Sequence, residues 1–228
     1  MAVDGPSGSG KSSVSRQVAA RLGLAYLDTG AMYRAATWWC LDQGIALADA
    51  DAVARTVATM DLRMGCDPVG PTVHVGEVDV AEAIRQPEIS AQVSTVAVNL
   101  VVRADLRARQ RAAIEDELRP DGVSAGRGIV AEGRDITTVV APDADVRVLL
   151  TASEDARLAR RSLEVHGDAG ADAVAATRDQ VVRRDADDST VVEFRTAADG
   201  VVTIDSTSLT FDETVDAVLR VIGERTGP

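Results

Sequence analysis

The chain has 228 residues, of which 46% are hydrophobic and 26% are charged. This length fits one large domain, or a core that carries small insertions, and the composition is that of a soluble globular protein. The formal net charge is −12 at pH 7. It argues against general binding to nucleic acid or to anionic membranes, because both require a basic surface.

Two further features of the sequence bear on the compartment. Cys40 and Cys66 are too few and too far apart for a metal knuckle or a disulfide framework, which indicates reduced thiols. The sequence contains no apolar run as long as a transmembrane helix and no basic-then-apolar leader. We therefore expect a cytoplasmic protein with neither a membrane nor a nucleic-acid partner.

The chain begins with a short apolar strand that leads into a glycine-rich loop. The loop follows the phosphate-loop pattern of Gly, four free positions and Gly-Lys-Ser/Thr. Its residues are Gly5, Pro6, Ser7, Gly8, Ser9, Gly10, Lys11 and Ser12. Glycines let backbone N–H groups face phosphate oxygens, while the lysine supplies a positive charge and the serine hydroxyl a ligand for Mg²⁺. Because Lys11 is the only lysine of the chain, the match is specific, and it predicts a nucleoside triphosphate site.

Helices and strands alternate after the loop. Apolar residues recur every fourth position from residue 14 to residue 22, which predicts a helix. Residues 24–27 predict a second strand, and the helix that follows is expected to end at Gly44. Asp49 or Asp51 is expected to cap a third helix.

From residue 62 the hydrophobic pattern changes from helical to alternating. Residues 62–64, 73–75 and 78–80 predict a small antiparallel sheet inserted between helices. Residues 81–98 have an irregular to helical pattern that Pro87 interrupts. A long helix is then predicted over about residues 99–119.

The last hundred residues return to strands that alternate with helices. Residues 129–131, 146–150 and 201–204 predict buried strands, and the polar stretch 187–190 predicts a mobile loop. Ser153 and a capping box at residues 210–213 predict the starts of two helices. The alternation along most of the chain implies an α/β fold with a parallel sheet.

A phosphate loop predicts nucleotide binding but not the reaction. A GTPase needs an Asn-Lys-x-Asp base reader, which a chain whose only lysine lies in the loop does not contain. Most larger ATPases and motors need more domains than this length provides. The remaining class, a small-molecule kinase, needs a second anion site. Arg34 and Arg134 follow predicted strands, at the edge where open α/β sheets bind ligands, and a guanidinium fork suits phosphate oxygens.

A set of short motifs runs through nearly the whole chain. The motifs are the segments 4–11, 27–34, 84–85 with Ser94, Arg103 with 109–111, 132–135, 183–185 with 188–190, and 205–207. In this order and spacing they resemble the bacterial cytidylate kinases, within the nucleoside monophosphate kinase group. The resemblance implies a P-loop kinase fold with a five-stranded parallel sheet flanked by helices. It divides the single domain into a core (about 1–36, 99–152 and 199–228), a monophosphate-binding insertion (about 37–98) and a mobile lid (about 153–195).

The resemblance also implies which residues bind CMP. Ser94, Arg103 and Asp135 match positions that read the cytosine edge, whereas Arg34 and Arg134 match positions that hold the monophosphate. The implied CMP-binding set is Thr29, Tyr33, Arg34, Arg85, Ser94, Arg103, Gly133, Arg134, Asp135, Arg184 and Asp188. Asp188 is the implied acceptor of a ribose hydroxyl.

For ATP, the resemblance implies binding by the loop together with Ser13 and Arg157, with Arg157 stacked on adenine. Arg161 is implied to meet the transferred phosphoryl group, and Ser12 to bind Mg²⁺ as the cofactor. The implied catalytic residues are Lys11, Arg34, Arg134, Arg161 and Arg184. The implied activity is transfer of the γ-phosphoryl group of MgATP to CMP, and to dCMP, by a monomer.

Some features leave alternatives open. The family usually has an arginine where this chain has Val191, and Arg195 is a conjectural substitute for it. Asp4 either orients a metal-bound water or ends the first strand as a turn residue. A kinase of the same fold that acts on another nucleoside monophosphate, or on a small acid such as shikimate, is an alternative. A non-catalytic nucleotide-binding regulator is another.

Overall fold

The computed structural model describes residues 1–168 and 170–227, with the backbone alone at residues 165, 166, 171, 176, 179, 180 and 184. Its strands are β1 (Ala2–Asp4), β2 (Ala25–Asp28), β3 (Leu62–Met64), β4 (Val73–Val75), β5 (Val78–Asp79), β6 (Ile129–Gly133), β7 (Arg147–Thr151) and β8 (Val202–Asp205). Its α-helices are α1 (Lys11–Leu22), α2 (Thr29–Asp42), α3 (Ala50–Ala58), α4 (Pro87–Ala97), α5 (Leu100–Glu117), α6 (Glu154–His166), α7 (Ala171–Ser189) and α8 (Phe211–Thr226). Within the described ranges, no helix combines the length and apolarity needed to cross a bilayer.

Two sheets organise these elements. The larger is a five-stranded parallel sheet in the order β2-β6-β1-β7-β8, and the smaller is an antiparallel sheet in the order β3-β4-β5. In the parallel sheet, Val3 of β1 pairs with Glu132 of β6 on one side and with Val148 of β7 on the other. Both sheets were expected from the sequence, and the α/β prediction is confirmed.

The chain divides into two compact units. Unit 1 is Met1–Leu22 with Val130–Pro228, and unit 2 is Gly23–Ile129. In unit 1, α1 packs against α8, and strands β1 and β7 supply fully buried side chains such as Ala2 and Leu150 respectively. In unit 2, α2 packs against α3, α4 and α5. The division into core, insertion and lid stays a prediction.

Of two expectations about local structure, one was confirmed and one was wrong. Pro87 separates two helical segments, a 3₁₀ turn over Ala83–Arg85 and α4, which it begins, because a proline at the first helical position lacks only an N–H that would have no helical partner. Residues 187–190 do not form a loop, since α7 continues through Ser189. The Ser189 hydroxyl donates a hydrogen bond to the Asp185 carbonyl within that last turn, and the Thr190 N–H donates to Asp187.

Candidate functional site

The phosphate loop joins β1 to α1 in unit 1. Gly8 and Gly10 have φ angles of +75° and +87°, a backbone region that residues with a Cβ rarely adopt. A Cβ at Gly8 would also lie 2.5 Å from the carbonyl oxygen of Arg157, in the first turn of α6. The first N–H groups of α1 have no acceptor within the helix, and its dipole adds positive potential there. The loop and helix together form a site suited to phosphate.

Glu132, near the end of β6, contacts both functional side chains that follow the loop. The Ser12 hydroxyl donates a 2.7 Å hydrogen bond to its Oε1, and Lys11 Nζ lies 3.9 Å from its Oε2. Glu132 is 1% exposed, and its contacts with Ser12 and Lys11 offset the cost of burying a carboxylate. The sequence analysis included Glu132 in a motif without giving it a role. The sequence did contain one signal for this role, namely that Glu132 lies near the end of a predicted strand. Because β6 pairs in parallel with β1, the end of β6 lies beside the phosphate loop that follows β1.

The side-chain oxygens of Ser12 and Glu132 are suitable ligands for Mg²⁺. Mg²⁺ prefers hard oxygen ligands and commonly uses one or two protein groups together with substrate phosphates. Ser12 and Glu132 offer such oxygens side by side at the phosphate loop. Among the described residues, no group of three or more His, Cys, Asp or Glu side chains could hold a metal ion.

Asp185 of α7 connects the loop to the first turn of α6. The Ser7 N–H donates to its Oδ1 at 3.1 Å, and Arg157 donates to its Oδ2. Arg157 also donates to the Ser7 carbonyl at 2.8 Å. Asp185 is 2% exposed, and its nearest arginines neutralise it. The sequence analysis gave Asp185 no role, because its partner Ser7 lies 178 positions away along the chain.

Arg134, just after β6, contacts the loop, α7 and the segment that follows α7. Its Nη1 donates to the Gly5 carbonyl at 2.5 Å, and its Nε donates to Asp188 at 3.1 Å. Its Nη2 lies 3.5 Å from Asp185. The centroid of the Phe194 ring is 4.9 Å from the guanidinium carbon. In unit 1, the structure thus brings together Arg134, Asp188 and the phosphate loop.

Asp4 is the last residue of β1, and its carboxylate binds the backbone that follows Asp135. It is 2% exposed and accepts hydrogen bonds from the Ile136 N–H and from both the N–H and the hydroxyl of Thr137. Burial raises the pKa of the Asp4 carboxyl, whereas these three hydrogen bonds lower it. The contacts support the turn interpretation, and they fix the backbone that follows Asp135.

In unit 2, the predicted residues on α2 lie beside a capping aspartate. Asp28 accepts the Ala31 N–H at the start of α2, and its other oxygen accepts a 2.8 Å hydrogen bond from Arg34. A Cβ at Gly30 would lie 3.1 Å from Asp28 and 3.2 Å from Arg34, so glycine leaves room for the pair. The side chain of Arg34 is 14% exposed and remains charged.

Also in unit 2, the structure places Arg103 against Tyr33. Arg103 is 4% exposed, its guanidinium carbon lies 5.6 Å from the centroid of the Tyr33 ring, and its Nη1 donates to the Ala97 carbonyl. Arginine is rarely this buried unless its charge is compensated. Ser94 on α4 is also buried, whereas Arg85 is exposed.

The other predicted residues lie as follows. Gly133 ends β6, Asp135 is buried, Thr29 is buried at the start of α2, and Ser13 is exposed on α1. Arg161 forms a 2.8 Å ion pair with Glu164 on α6. The side chain of Arg184 lies outside the described residues. Val191 is half-buried and Arg195 is exposed.

Comparisons with known proteins give consistent matches over the whole chain. A family model described as cytidylate kinase matches residues 1–224. A cytidylate kinase of Streptomyces coelicolor is 46% identical over 226 residues, which cover 99% of this chain and 93% of that protein. A cytidylate kinase of Rhodococcus opacus is 45% identical over 229 residues, with 100% and 96% covered. One of Streptomyces avermitilis is 44% identical over 226 residues, with 99% and 93% covered.

Proposed function

The chain belongs to the cytidylate kinase family, and on this premise we propose that it transfers the γ-phosphoryl group of ATP to CMP. The observation that carries the proposal is the contact between Arg134 and the phosphate loop, at the Gly5 carbonyl. An arginine at that position sits beside the triphosphate site and offers a charged fork to a second phosphate.

The ATP end of the reaction belongs to the phosphate loop. We assign the β- and γ-phosphates to the loop N–H groups and to Lys11, whose ammonium group is held near Glu132. Ser12 and Glu132 would hold Mg²⁺, which when bound neutralises phosphate charge as the phosphoryl group leaves ATP. Arg157, anchored to Ser7 and Asp185, is assigned to the adenine side.

The CMP end of the reaction is assigned to a second set of arginines. Arg34 and Arg134 are each assigned to the acceptor phosphate, with Tyr33 and Arg85 contributing. Asp188 is assigned to a ribose hydroxyl, and Arg184 to the phosphates. Arg34 and Arg134 are already oriented by carboxylates, so substrate binding costs them little side-chain entropy.

The base is assigned to Asp135, Arg103 and Ser94, with help from Thr29 and Gly133. Cytosine presents an amino donor next to acceptors, which a carboxylate and a guanidinium complement. Uracil presents a carbonyl where cytosine presents the amino group. In UMP, that carbonyl oxygen would face the Asp135 carboxylate, and both groups are hydrogen-bond acceptors. Because an unpaired buried polar group is costly, the enzyme should prefer CMP and dCMP to UMP.

The chemical step needs little beyond positioning and charge. The acceptor is an ionised phosphate, so no general base is required. Lys11, Arg161 and Arg184 are assigned to the charge that develops on the transferred group. Exclusion of water by a closing segment at about residues 153–195 would prevent hydrolysis of ATP. We place the protein in the cytoplasm as a monomer.

An acceptor panel tests the proposal. Purified protein receives MgATP with CMP, dCMP, UMP, AMP or shikimate, and both ADP and the phosphorylated acceptor are quantified. We expect CDP and dCDP as the main products. Preference for AMP, UMP or shikimate would favour another kinase of this fold. Binding of ATP without phosphorylation of any acceptor would identify a regulator and would contradict the proposal.

A further inference from the structure

We infer that Phe194 is a positioning residue that orients the Arg134 guanidinium for the acceptor phosphate. The inference rests on the proposed role of Arg134 in binding CMP. In addition to Tyr33, it gives a second aromatic side chain a part in binding CMP. The observation behind it is the 4.9 Å distance between the guanidinium carbon of Arg134 and the centroid of the Phe194 ring.

Phe194 is unusual for its place in the chain. It lies in the irregular segment 190–201 that joins α7 to β8, where every other residue is exposed or half-buried. Phe194 itself is 2% exposed. A large apolar side chain buried in such a segment anchors it. One group that the Phe194 ring contacts is the cation of Arg134.

The guanidinium is restrained both at its edge and on its face. Its edge contacts the Gly5 carbonyl, Asp188 and Asp185, and its face lies against the ring. The edge contacts fix the direction of the donors within the guanidinium plane. The ring restrains rotation of that plane about the side-chain axis, which the edge contacts alone restrain less strongly.

An aromatic ring suits this task better than a further carboxylate. A carboxylate would occupy N–H donors and would compete with a phosphate for them. The ring attracts the cation through its π face and uses none of the five donors. It therefore orients Arg134 without occupying any donor beyond those that Gly5, Asp188 and Asp185 already contact.

Fluorination of the Phe194 ring tests the inference. Successive fluorine atoms weaken the negative potential of the π face while nearly preserving the size and apolarity of the ring. We would incorporate mono-, di- and trifluorophenylalanine at position 194 of the full-length protein. Steady-state kinetics would then be measured with CMP and with ATP as the varied substrate. Phe211, which is 48% exposed, is the only other phenylalanine and the matched control position.

We expect kcat/KM for CMP to fall stepwise with each fluorine at position 194. Full loss of a cation–π contact corresponds to about a 2- to 30-fold decrease. The KM for ATP should stay constant, and the same series at position 211 should be flat. Because the contact is also present in the free enzyme, the melting temperature should fall by no more than a few degrees. A flat series at position 194 would overturn the inference. An equal effect on CMP and ATP would also overturn it, because Phe194 would then act through folding.

The Arg134→Ala variant separates this inference from the proposed function. Wild-type turnover in that variant would remove Arg134 from the CMP site, and the proposed role would fail first. If Arg134→Ala impairs the reaction but the fluorine series is flat, only the role of Phe194 fails. If Arg134→Ala impairs the reaction and the fluorine series also lowers kcat/KM for CMP, the series should lose its effect in the Arg134→Ala background. The reason is that Phe194 acts through that arginine.

Discussion

At the scale of single residues, buried or half-buried carboxylates contact the cations that the proposed mechanism uses. Lys11 lies near Glu132, Arg34 bonds to Asp28, and Arg157 bonds to Asp185. Each pairing limits the rotamers of the cation. When a phosphate arrives, these groups need little reorganisation, which is the condition for strong electrostatic stabilisation of a transition state.

Substitution of Arg134 tests its role most simply. Arg134→Ala should lower kcat with CMP by about 10²- to 10³-fold, as does loss of a comparable charged contact in a transition state. Arg220→Ala, at an exposed position of α8, is the matched control and should leave kcat unchanged. Because Arg134 also contacts Gly5 and Asp188, circular dichroism must show that the variant is folded. A folded Arg134→Ala enzyme with normal turnover would contradict the assignment.

Glu132→Gln tests the carboxylate beside Ser12. The amide keeps the shape of the side chain but loses the negative charge that faces Lys11 and the Ser12 hydroxyl. We expect the Mg²⁺ concentration for half-maximal activity to rise by about 10- to 100-fold, the usual effect of removing a group that orients a metal ligand. Activity would be measured against free Mg²⁺ at constant ATP. Glu224→Gln, at an exposed residue of α8, should not change this dependence, and an unchanged Glu132→Gln curve would refute the role.

The two cysteines predict how stability depends on alkaline pH. Burial raises the pKa of Cys40 to about 11, and burial together with the nearby Glu117 carboxylate raises that of Cys66 to about 12. In the unfolded chain these thiols ionise near pH 9, so between about pH 9 and pH 11 the folded state retains protons that the unfolded state has lost. The free energy of unfolding should therefore fall as the pH rises through this window.

Urea unfolding at a series of pH values measures this decrease. Replacing both cysteines by alanine should remove part of the slope above about pH 9. In the native protein at pH 8, both thiols should react with Ellman's reagent only slowly, because they are buried and protonated. Rapid reaction of either thiol in the folded protein would contradict the structure at that residue.

At the scale of elements, Asp185 connects α7 to the phosphate loop and to the first turn of α6. Asp185→Ala would leave Arg134 and Arg157, whose side chains are 13% and 12% exposed, without the carboxylate between them. Breaking a buried ion pair in this way costs about 3–5 kcal/mol in the free energy of unfolding. Urea unfolding measures the cost, and Asp187→Ala on the same helix should change stability little. A similar small change for Asp185→Ala would show that the three elements do not depend on it.

Local patterns in the sequence were enough to predict most elements. The spacing of valines gave the small antiparallel sheet, and the capping box Thr210 to Glu213 gave the start of α8, where both of its hydrogen bonds are present. Pro87 was interpreted as a break because proline is compatible with a helix only in its first turn. The end of α7 was missed because clustered aspartate and serine also favour turns.

The candidate site could be predicted only in part from the sequence, because its contacting residues are far apart along the chain. Lys11 and Ser12 lie in a contiguous motif, but their partner Glu132 is 120 positions from Ser12, and Asp185 is 178 positions from Ser7. Which acidic residue meets which cation depends on strand order and helix packing. The sequence motifs identified the cations, and the parallel register of β1 and β6 determines which carboxylate faces the loop.

At the scale of the whole molecule, the charge distribution reconciles an acidic protein with polyanionic substrates. The chain has a net charge of −12 and a single lysine. Within each unit, the cations that we assign to the substrates lie against carboxylates, which orient them without occupying every donor. Arginines paired in this way can bind phosphate locally although the chain as a whole is acidic.

Transfer of a labelled phosphoryl group tests the central claim most directly. The wild-type protein would be incubated with Mg²⁺, CMP and ATP labelled at the γ-phosphoryl group, and the labelled products separated by chromatography. The account predicts label in the β-phosphoryl group of CDP, formed in a one-to-one ratio with ADP. Label that appears only in inorganic phosphate, or ATP that stays bound and intact in the presence of CMP, would contradict it.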